Sequence, residues 1–254
     1  MTPIRATEDS ADIEARKSRF LRELNAHNLL IDSMNELLDN KEQAIKVRTT
    51  QPERDLDLLV AAMYAKAGKT YQATLQLCVS GFGEDALVLL RSNINLLISL
   101  FYILNGDSVK RAGDLIAYSH TEQRKYLRLT HNHKPEWVEN LNWDEIERRA
   151  DEWKRVDIAS KAKQCKQSFH YDVGYRFYSS IEHSDAWALS SLIFENETEV
   201  RISSAPSDEH VRLALIHNFG VMAEVFLGFC SHFEIPHIGT EAKLLAEWRN
   251  LGKA

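Results

Sequence analysis

The sequence predicts an all-α protein, a helical bundle of about seven to nine helices with at most one very short strand pair. Its 254 residues include only 10 glycines and 5 prolines, which leaves few residues for the hairpin turns of a β protein. Hydrophobic residues make up 44% of the chain, enough for a sizeable core. In long segments they recur at three-, four- and seven-residue spacings, which is typical of amphipathic helices.

The predicted helices can be followed along the chain in order. The first runs from about residue 10 to 39, and a polar loop containing Pro52 follows it. Further helices are expected at about 56–79, 84–104, 109–130, 143–165, 209–233 and 240–250. Ser207 or Asp208 is the expected N-cap of the helix that runs to about residue 233. Residues 199–204 alternate loosely and predict a small strand or an extended loop. We therefore expect two parts: residues 1–55 as an N-terminal helix and linker, and residues 56–254 as the bundle domain.

Charge and cysteine content limit the function classes. A formal net charge of −6 argues against wholesale coating of nucleic acid but allows a local basic groove. Cys78, Cys165 and Cys230 form no C-x-x-C pair, so a reducing, cytoplasmic location is expected. The first residues lack the apolar segment of a secretory signal, and no unbroken apolar run approaches the roughly 20 residues that span a bilayer. We therefore expect no membrane segment.

Polar side chains follow one face of the most apolar predicted helix, ALVLLRSNINLLISLFYIL. Arg91 and Asn95 are four residues apart, so they share a face of this helix. A buried guanidinium is costly without a partner, and Glu84 or Asp114 could supply a carboxylate. The face is therefore either a satisfied core network or part of a pocket wall.

The segment YRFYSSIEHSDAW, residues 175–187, concentrates functional groups without a glycine or proline. Arg176 and His183 are seven residues apart, which places them on one helix face about 10 Å apart along the axis. Histidine exchanges a proton near neutral pH and arginine holds a phosphate, so the two suit phosphodiester chemistry without a metal. The alternative is structural, with His183 buried against a backbone carbonyl and Arg176 paired with Asp172.

A basic run precedes this segment. KRVDIASKAKQCK contains Lys161, Lys163 and Lys166, in the clearest local excess of positive charge in an acidic chain. The run is either a solvated helix face or a surface that captures the phosphate backbone of RNA.

Other motifs give little support to further chemistry. The HNH at residues 131–133 lacks the strand-rich surroundings of the metal nuclease of that name, and His232 and His237 lack the H-E-x-x-H spacing. No Walker A motif, glycine-rich dinucleotide turn or G-x-S-x-G elbow occurs. We therefore predict no metal and no cofactor.

The spacing of Arg176 and His183 resembles the R-x(4-6)-H motif of the HEPN superfamily, helical proteins that include many metal-independent RNases of toxin, phage-defence and CRISPR systems. LLRS (residues 89–92) and YSSIEH (residues 178–183) also resemble an uncharacterised bacterial family related to that fold. The similarity covers roughly residues 56–235. In one departure, Phe177 follows the arginine where family members often carry a small polar residue.

The resemblance implies that Arg176 and His183 form a catalytic pair. The histidine would assist attack of a ribose 2′-hydroxyl on the adjacent phosphate or protonate the leaving oxygen, and the arginine would stabilise the transition state. Two protomers commonly build one composite site in that superfamily, so a homodimer is implied. The expected supporting residues are Tyr178, Ser179, Glu182, Arg91 and Asn95, with Lys161, Lys163 and Lys166 as RNA-binding residues.

Two functions are therefore expected from different classes. The first is a cytoplasmic, metal-independent HEPN-like endoribonuclease of bacterial toxin or phage-defence biology. Its candidate partners, besides RNA, are an antitoxin, a nucleotidyltransferase or another defence-system protein. The alternative is a catalytically silent helical module that dimerises and binds a nucleotide, RNA or a partner protein.

Overall fold

The structure is a computed structural model that describes residues 10–38, 45–129, 141–183, 193–195, 200–202 and 205–253, and within these residues it confirms the all-α prediction. Its ten described α-helices are α1 (Ser10–Arg19), α2 (Leu21–Leu38), α3 (Glu53–Val79), α4 (Gly83–Leu104), α5 (Ser108–Leu129), α6 (Trp143–Arg155), α7 (Ile158–Gln164), α8 (Arg176–Glu182), α9 (Val211–His232) and α10 (Ile238–Leu251). A π-helix, His170–Tyr175, leads directly into α8. The single short strand pair that the prediction allowed is present: β1 (Ile193–Glu195) runs antiparallel to β2 (Val200–Ile202).

Two predicted helices are each divided in the structure. The helix expected over residues 143–165 breaks because Val156 is extended and Asp157 starts a new helix, its carboxylate accepting the Ser160 N–H at 2.7 Å. That hydrogen bond is the main cause that lowers the pKa of Asp157. The helix expected over residues 10–39 divides into α1 and α2 at Phe20, whose ring is buried.

The chain forms two compact units. The first contains the described residues of Met1–Ile45, Tyr64–Leu97 and Phe169–Ala254, and the second those of Lys46–Met63 and Ile98–Ser168. These units do not follow the predicted boundary at residue 55, because α2 packs against α9 and α10 within the first unit.

The core of the first unit forms around α9. This helix is apolar on nearly all sides, as expected of a helix surrounded by other helices. The large side chains of α2, α3, α4 and α9 that are fully buried in this unit are Leu30, Tyr71, Leu87, Leu90, Ile94, Leu97, Phe219, Phe226 and Phe229. Burying each such side chain stabilises the fold by about 2 kcal/mol, so this cluster fixes the helices that carry the candidate site.

The second unit is organised by the packing of α5 against α6. Ala112 and Ala117 of α5 and Ala150 of α6 are buried, and such small side chains allow two helices to approach closely. The buried Trp153 ring meets Tyr102 edge to face with ring centroids 5.7 Å apart. Aromatic packing therefore closes this smaller core.

A close backbone contact fixes where α4 begins. A Cβ on Gly83 would lie 2.2 Å from the Glu209 carbonyl oxygen, so only glycine fits there. Gly81, two residues earlier, has a φ of +79°, in the region that favours glycine. The two glycines that separate α3 from α4 are thus required for steric reasons.

The expected N-cap of α9 is wrong. His210 occupies that position in a left-handed conformation and makes no side-chain capping bond. Asp208 instead accepts a hydrogen bond from Arg16 Nε at 2.9 Å and pairs with Arg19. Ser207 accepts the Glu209 N–H at 3.2 Å. The side chains predicted to cap α9 are thus used by α1 and by the preceding turn.

Two of the described helices, Gly83–Leu104 and Val211–His232, are long and apolar enough to cross a membrane. Half of the most apolar window of the first and 72% of that of the second are buried within the protein itself. Buried core helices have the same length and composition, so these two segments are only weak evidence for a membrane span.

Candidate functional site

The candidate site is built on α8, a short helix in the first unit. The π-helix before it widens the last turns up to Tyr175, and Arg176 is the first residue of α8. His183 ends the helix, with its backbone N–H donating to the Ser179 carbonyl at 3.0 Å. π-Helical turns are frequent at functional sites, which is consistent with a site at this junction.

Arg176 and His183 both face solvent. They lie seven residues apart on the segment 176–183, so they share one helix face. The Arg176 side chain is 67% exposed, and its guanidinium is 3.9 Å from an equally exposed Asp172 carboxylate, a separation at which an ion pair contributes little. His183 is also exposed, which contradicts the alternative of a buried structural histidine.

Arg91 of α4 contacts the adjacent face of α8 and the last residue of the π-helix. Its Nε donates to Ser179 Oγ at 2.7 Å, one terminal nitrogen donates to the Tyr175 hydroxyl at 3.0 Å, and the other pairs with Glu182. The guanidinium also lies over the Tyr175 ring, 4.5 Å from its centroid. The predicted carboxylate partner of Arg91 is therefore present, but it is Glu182 instead of Glu84 or Asp114.

Asn95, Arg91's neighbour on α4, does not join this cluster. The polar face predicted on α4 is therefore not continuous. Asn95 is exposed, and its side chain makes no hydrogen bond to any residue that the structure describes. Of Arg91 and Asn95, the two supporting residues predicted on α4, only Arg91 contacts the motif helix.

Tyr178, predicted as a supporting residue, is a buried anchor of α8. Its side chain is fully buried, and its hydroxyl is hydrogen-bonded to Nδ1 of His217 on α9. Burial raises the pKa of Tyr178. Burial and the charge of His170 lower the pKa of His217 to about 4, so this imidazole stays neutral near neutral pH. Tyr178 therefore holds α8 against α9 and cannot reach a substrate.

A second histidine contact holds the π-helix. His170 Nε2 donates to Glu224 on α9 at 2.9 Å, and its ring is stacked nearly parallel to Trp248 of α10, with centroids 6.3 Å apart. The contacts of His170, His217 and Glu224 were not predicted from the sequence. One sequence feature could have indicated them, because His217 and Glu224 lie seven residues apart on one face of a largely apolar helix.

The predicted RNA-binding lysines belong to the second unit and differ from one another. Lys161 is buried, with its ammonium 3.5 Å from the centroid of the Trp153 ring. Burial lowers its pKa to about 8, against a smaller opposing effect of Asp157. The prediction that Lys161 contacts RNA is therefore wrong, because this cation packs on an aromatic ring. Lys163 and Lys166 are exposed.

The described part of the chain was also searched for clusters of side chains that could bind a metal ion. Among those residues no cluster of three or more His, Cys, Asp or Glu side chains could hold a metal ion. His237 instead contacts the Ile235 carbonyl through Nδ1 at 2.6 Å and Ser231 through Nε2 at 3.2 Å. The HNH triplet at residues 131–133 and Trp187 lie outside the described residues.

The fold and the site define a helical protein with two exposed candidate residues, Arg176 and His183, at the two ends of one short helix. The chain belongs to DUF5677, a family of unknown function, whose family model matches residues 57–200, more than half of the chain. No curated protein and no solved structure matches the chain. Arg91, Arg176 and His183 all lie within the matched segment, whereas α9 and α10 follow it.

Proposed function

We propose that this protein is a metal-independent HEPN-like endoribonuclease that acts in the cytoplasm of a bacterium, in toxin or phage-defence biology. One observation carries the proposal. Arg176, the first residue of α8, and His183, its C-cap, are both exposed, while the other faces of that helix are held by Arg91 and by buried Tyr178. A rigid helix that presents one proton-transfer group and one permanent cation to solvent suits phosphodiester cleavage.

The reaction follows from the two side chains. The ribose 2′-oxygen attacks the adjacent phosphorus, a bond forms between them, and the bond from phosphorus to the 5′-oxygen breaks. His183 either takes the proton from the 2′-hydroxyl or gives a proton to the departing 5′-oxygen. Arg176 holds the phosphate oxygens, where negative charge builds up in the transition state. The products are a 2′,3′-cyclic phosphate and a 5′-hydroxyl end.

A second protomer supplies the second proton-transfer group in this proposal. One histidine can serve as base or as acid in a given step, so two copies of α8 in a homodimer would complete the site. Exposed Lys163 and Lys166 remain candidates for contacts with the RNA backbone.

An assay on total cellular RNA in the presence of EDTA tests the proposal. Wild-type protein is compared with Arg176→Ala, His183→Ala and, as a matched control, Arg249→Ala, which removes an exposed arginine of α10. We expect wild type and the control to produce 2′,3′-cyclic phosphate ends. We expect the other two variants to lose at least about a hundredfold in rate, as is usual for a general acid–base group.

The same assay, repeated on RNA from bacteria that express the protein, decides between the two functions. Intact RNA in both settings, or cleavage that survives both substitutions, would overturn the nuclease proposal. Intact RNA would favour the second candidate, an interaction module. One observation favours that candidate: Phe169, the N-cap of the π-helix, and Val173, within it, are 56% and 44% exposed.

A further inference from the structure

We infer that Arg91 is a positioning residue that fixes both members of the candidate pair with a single guanidinium. The inference rests on the proposed function. Arg91 contacts Tyr175 and Glu182, and these residues directly precede Arg176 and His183 in the chain. Arg91 thus contacts the side chain of the residue just before each member of the pair, from a helix that is 84 or more residues away in sequence.

The three contacted residues occupy one stripe of the motif segment. Tyr175, Ser179 and Glu182 follow each other at spacings of four and three, which is the repeat of a helix face. The Ser179 hydroxyl also donates to the Tyr175 carbonyl at 2.7 Å, so it is fixed between the guanidinium and the backbone. The stripe lies next to the exposed stripe of Arg176 and His183, since each of those follows a contacted residue by one position.

The length of α8 explains why such a contact is needed. The helix has seven residues, and helices much shorter than about 12 residues do not persist without tertiary contacts. Tyr178 and Ile181 anchor its buried face. Arg91 adds contacts at the start, middle and end of the segment, and its side chain is only 20% exposed, so water competes weakly for them.

The geometry requires arginine specifically. The guanidinium directs Nε and its two terminal nitrogens to three different acceptors, whereas a lysine has one nitrogen and cannot reach all three. Arg91→Lys therefore keeps the positive charge near Glu182 and loses the combined contact with Tyr175 and Ser179. Glu182→Gln does the reverse, because it removes the ion pair and leaves the two hydroxyl contacts.

Hydrogen exchange of the backbone amides tests the inference without any enzymatic readout. In Arg91→Ala we expect the amides of residues 179–183 to exchange about tenfold faster, the effect of losing contacts worth about 1.4 kcal/mol. Arg91→Lys and Glu182→Gln should show smaller increases. The matched control is Arg212→Lys, which breaks another arginine–carboxylate contact of the same unit, from Nε to Glu23 at 3.1 Å. It should leave α8 unchanged.

RNA cleavage by the same variants tests the positioning role. We expect Arg91→Lys to lower kcat at least about tenfold and to change KM by less than about twofold, because the reacting groups are misplaced while RNA still binds. Unchanged exchange of α8 in Arg91→Ala, or faster exchange with an unchanged kcat, would overturn the inference. If wild type leaves RNA intact, the nuclease proposal fails by itself, and the exchange measurement still decides whether Arg91 holds α8.

Discussion

Replacing His27 should remove a large part of the dependence of stability on pH. His27 lies on α2 and is 1% exposed. Its Nδ1 is 2.7 Å from the Tyr71 hydroxyl and its Nε2 is 3.0 Å from the Leu215 carbonyl oxygen. The carbonyl can only accept, so Nε2 carries the proton and Nδ1 accepts from the tyrosine. This neutral imidazole is fully satisfied, and a second proton would place a charge inside the core.

The size of the effect follows from the pKa. Burial lowers the pKa of His27 from 6.5 to about 4, and the bond to Leu215 opposes this only in part. Above pH 6.5 the imidazole is neutral in both the folded and the unfolded chain, so it adds no pH dependence. Between pH 6.5 and 4 only the unfolded chain takes up the proton, and at about 1.4 kcal/mol for each pKa unit the free energy of unfolding falls by about 3 kcal/mol. Below pH 4 both states are protonated and this contribution stops changing.

Urea unfolding followed by far-ultraviolet circular dichroism measures this directly in wild type and His27→Gln at several pH values. Other titrating groups, including His217, act in both proteins and cancel in the difference. We expect the stability advantage of wild type over the variant to shrink by about 3 kcal/mol from pH 7 to pH 4. Tyr71→Phe is the matched control, because it removes one hydrogen bond but leaves His27 buried, and it should keep the wild-type pH dependence.

A difference between wild type and His27→Gln that stays constant from pH 7 to pH 4 would refute this reasoning. It would mean that the folded protein takes up the proton at His27 as easily as the unfolded chain does. The core around α2, α3 and α9 would then have to admit water or move upon protonation, contrary to the packing of the His27 ring against Tyr71 and Phe219.

Substitutions at two glycines and one tyrosine test the packing of the helices. Gly83→Ala should lower the free energy of unfolding by about 3 kcal/mol, since its Cβ would overlap the Glu209 carbonyl oxygen. Gly68→Ala on α3, where nothing lies within 4 Å of the added Cβ, should raise it by about 1 kcal/mol. Equal effects of the two in urea unfolding would contradict the steric argument. Tyr178→Phe leaves the half-buried His217 without its hydroxyl partner and should cost about 1–2 kcal/mol, whereas an unchanged midpoint would show that this contact contributes nothing.

The helical architecture could be predicted because its signals are local. Apolar spacing and the scarcity of glycine and proline placed most helices within a few residues of the observed bounds. The two helix breaks that were not predicted also have local causes, but these causes lie within segments whose apolar spacing is helical. Asp157 caps a new helix inside a segment whose apolar spacing predicts one continuous helix. The cap adds a single hydrogen bond, which the spacing of apolar residues does not reveal.

Only those features of the candidate site that depend on a single helix could be predicted. Seven-residue spacing places Arg176 and His183 on one face whatever surrounds them, and in the structure both are exposed. No comparable spacing rule predicts contacts between segments that are distant in the sequence. The partner of Arg91 is Glu182, and Lys161 packs on Trp153, because the packing of helices decides which charged side chain is covered. A pattern of charge along the chain does not contain that information.

The exposure of Arg176 and His183 makes the function testable apart from the fold. Neither side chain is buried, and the ion pair between Arg176 and Asp172 is long and open to water, so alanine at these positions should alter stability by less than about 0.5 kcal/mol. Arg91 is different, because it joins α4 to the motif segment through three contacts. Loss of activity in Arg176→Ala or His183→Ala with an unchanged unfolding curve would therefore report on chemistry. The same loss in an Arg91 variant reports on chemistry only when hydrogen exchange shows which part of the structure has loosened.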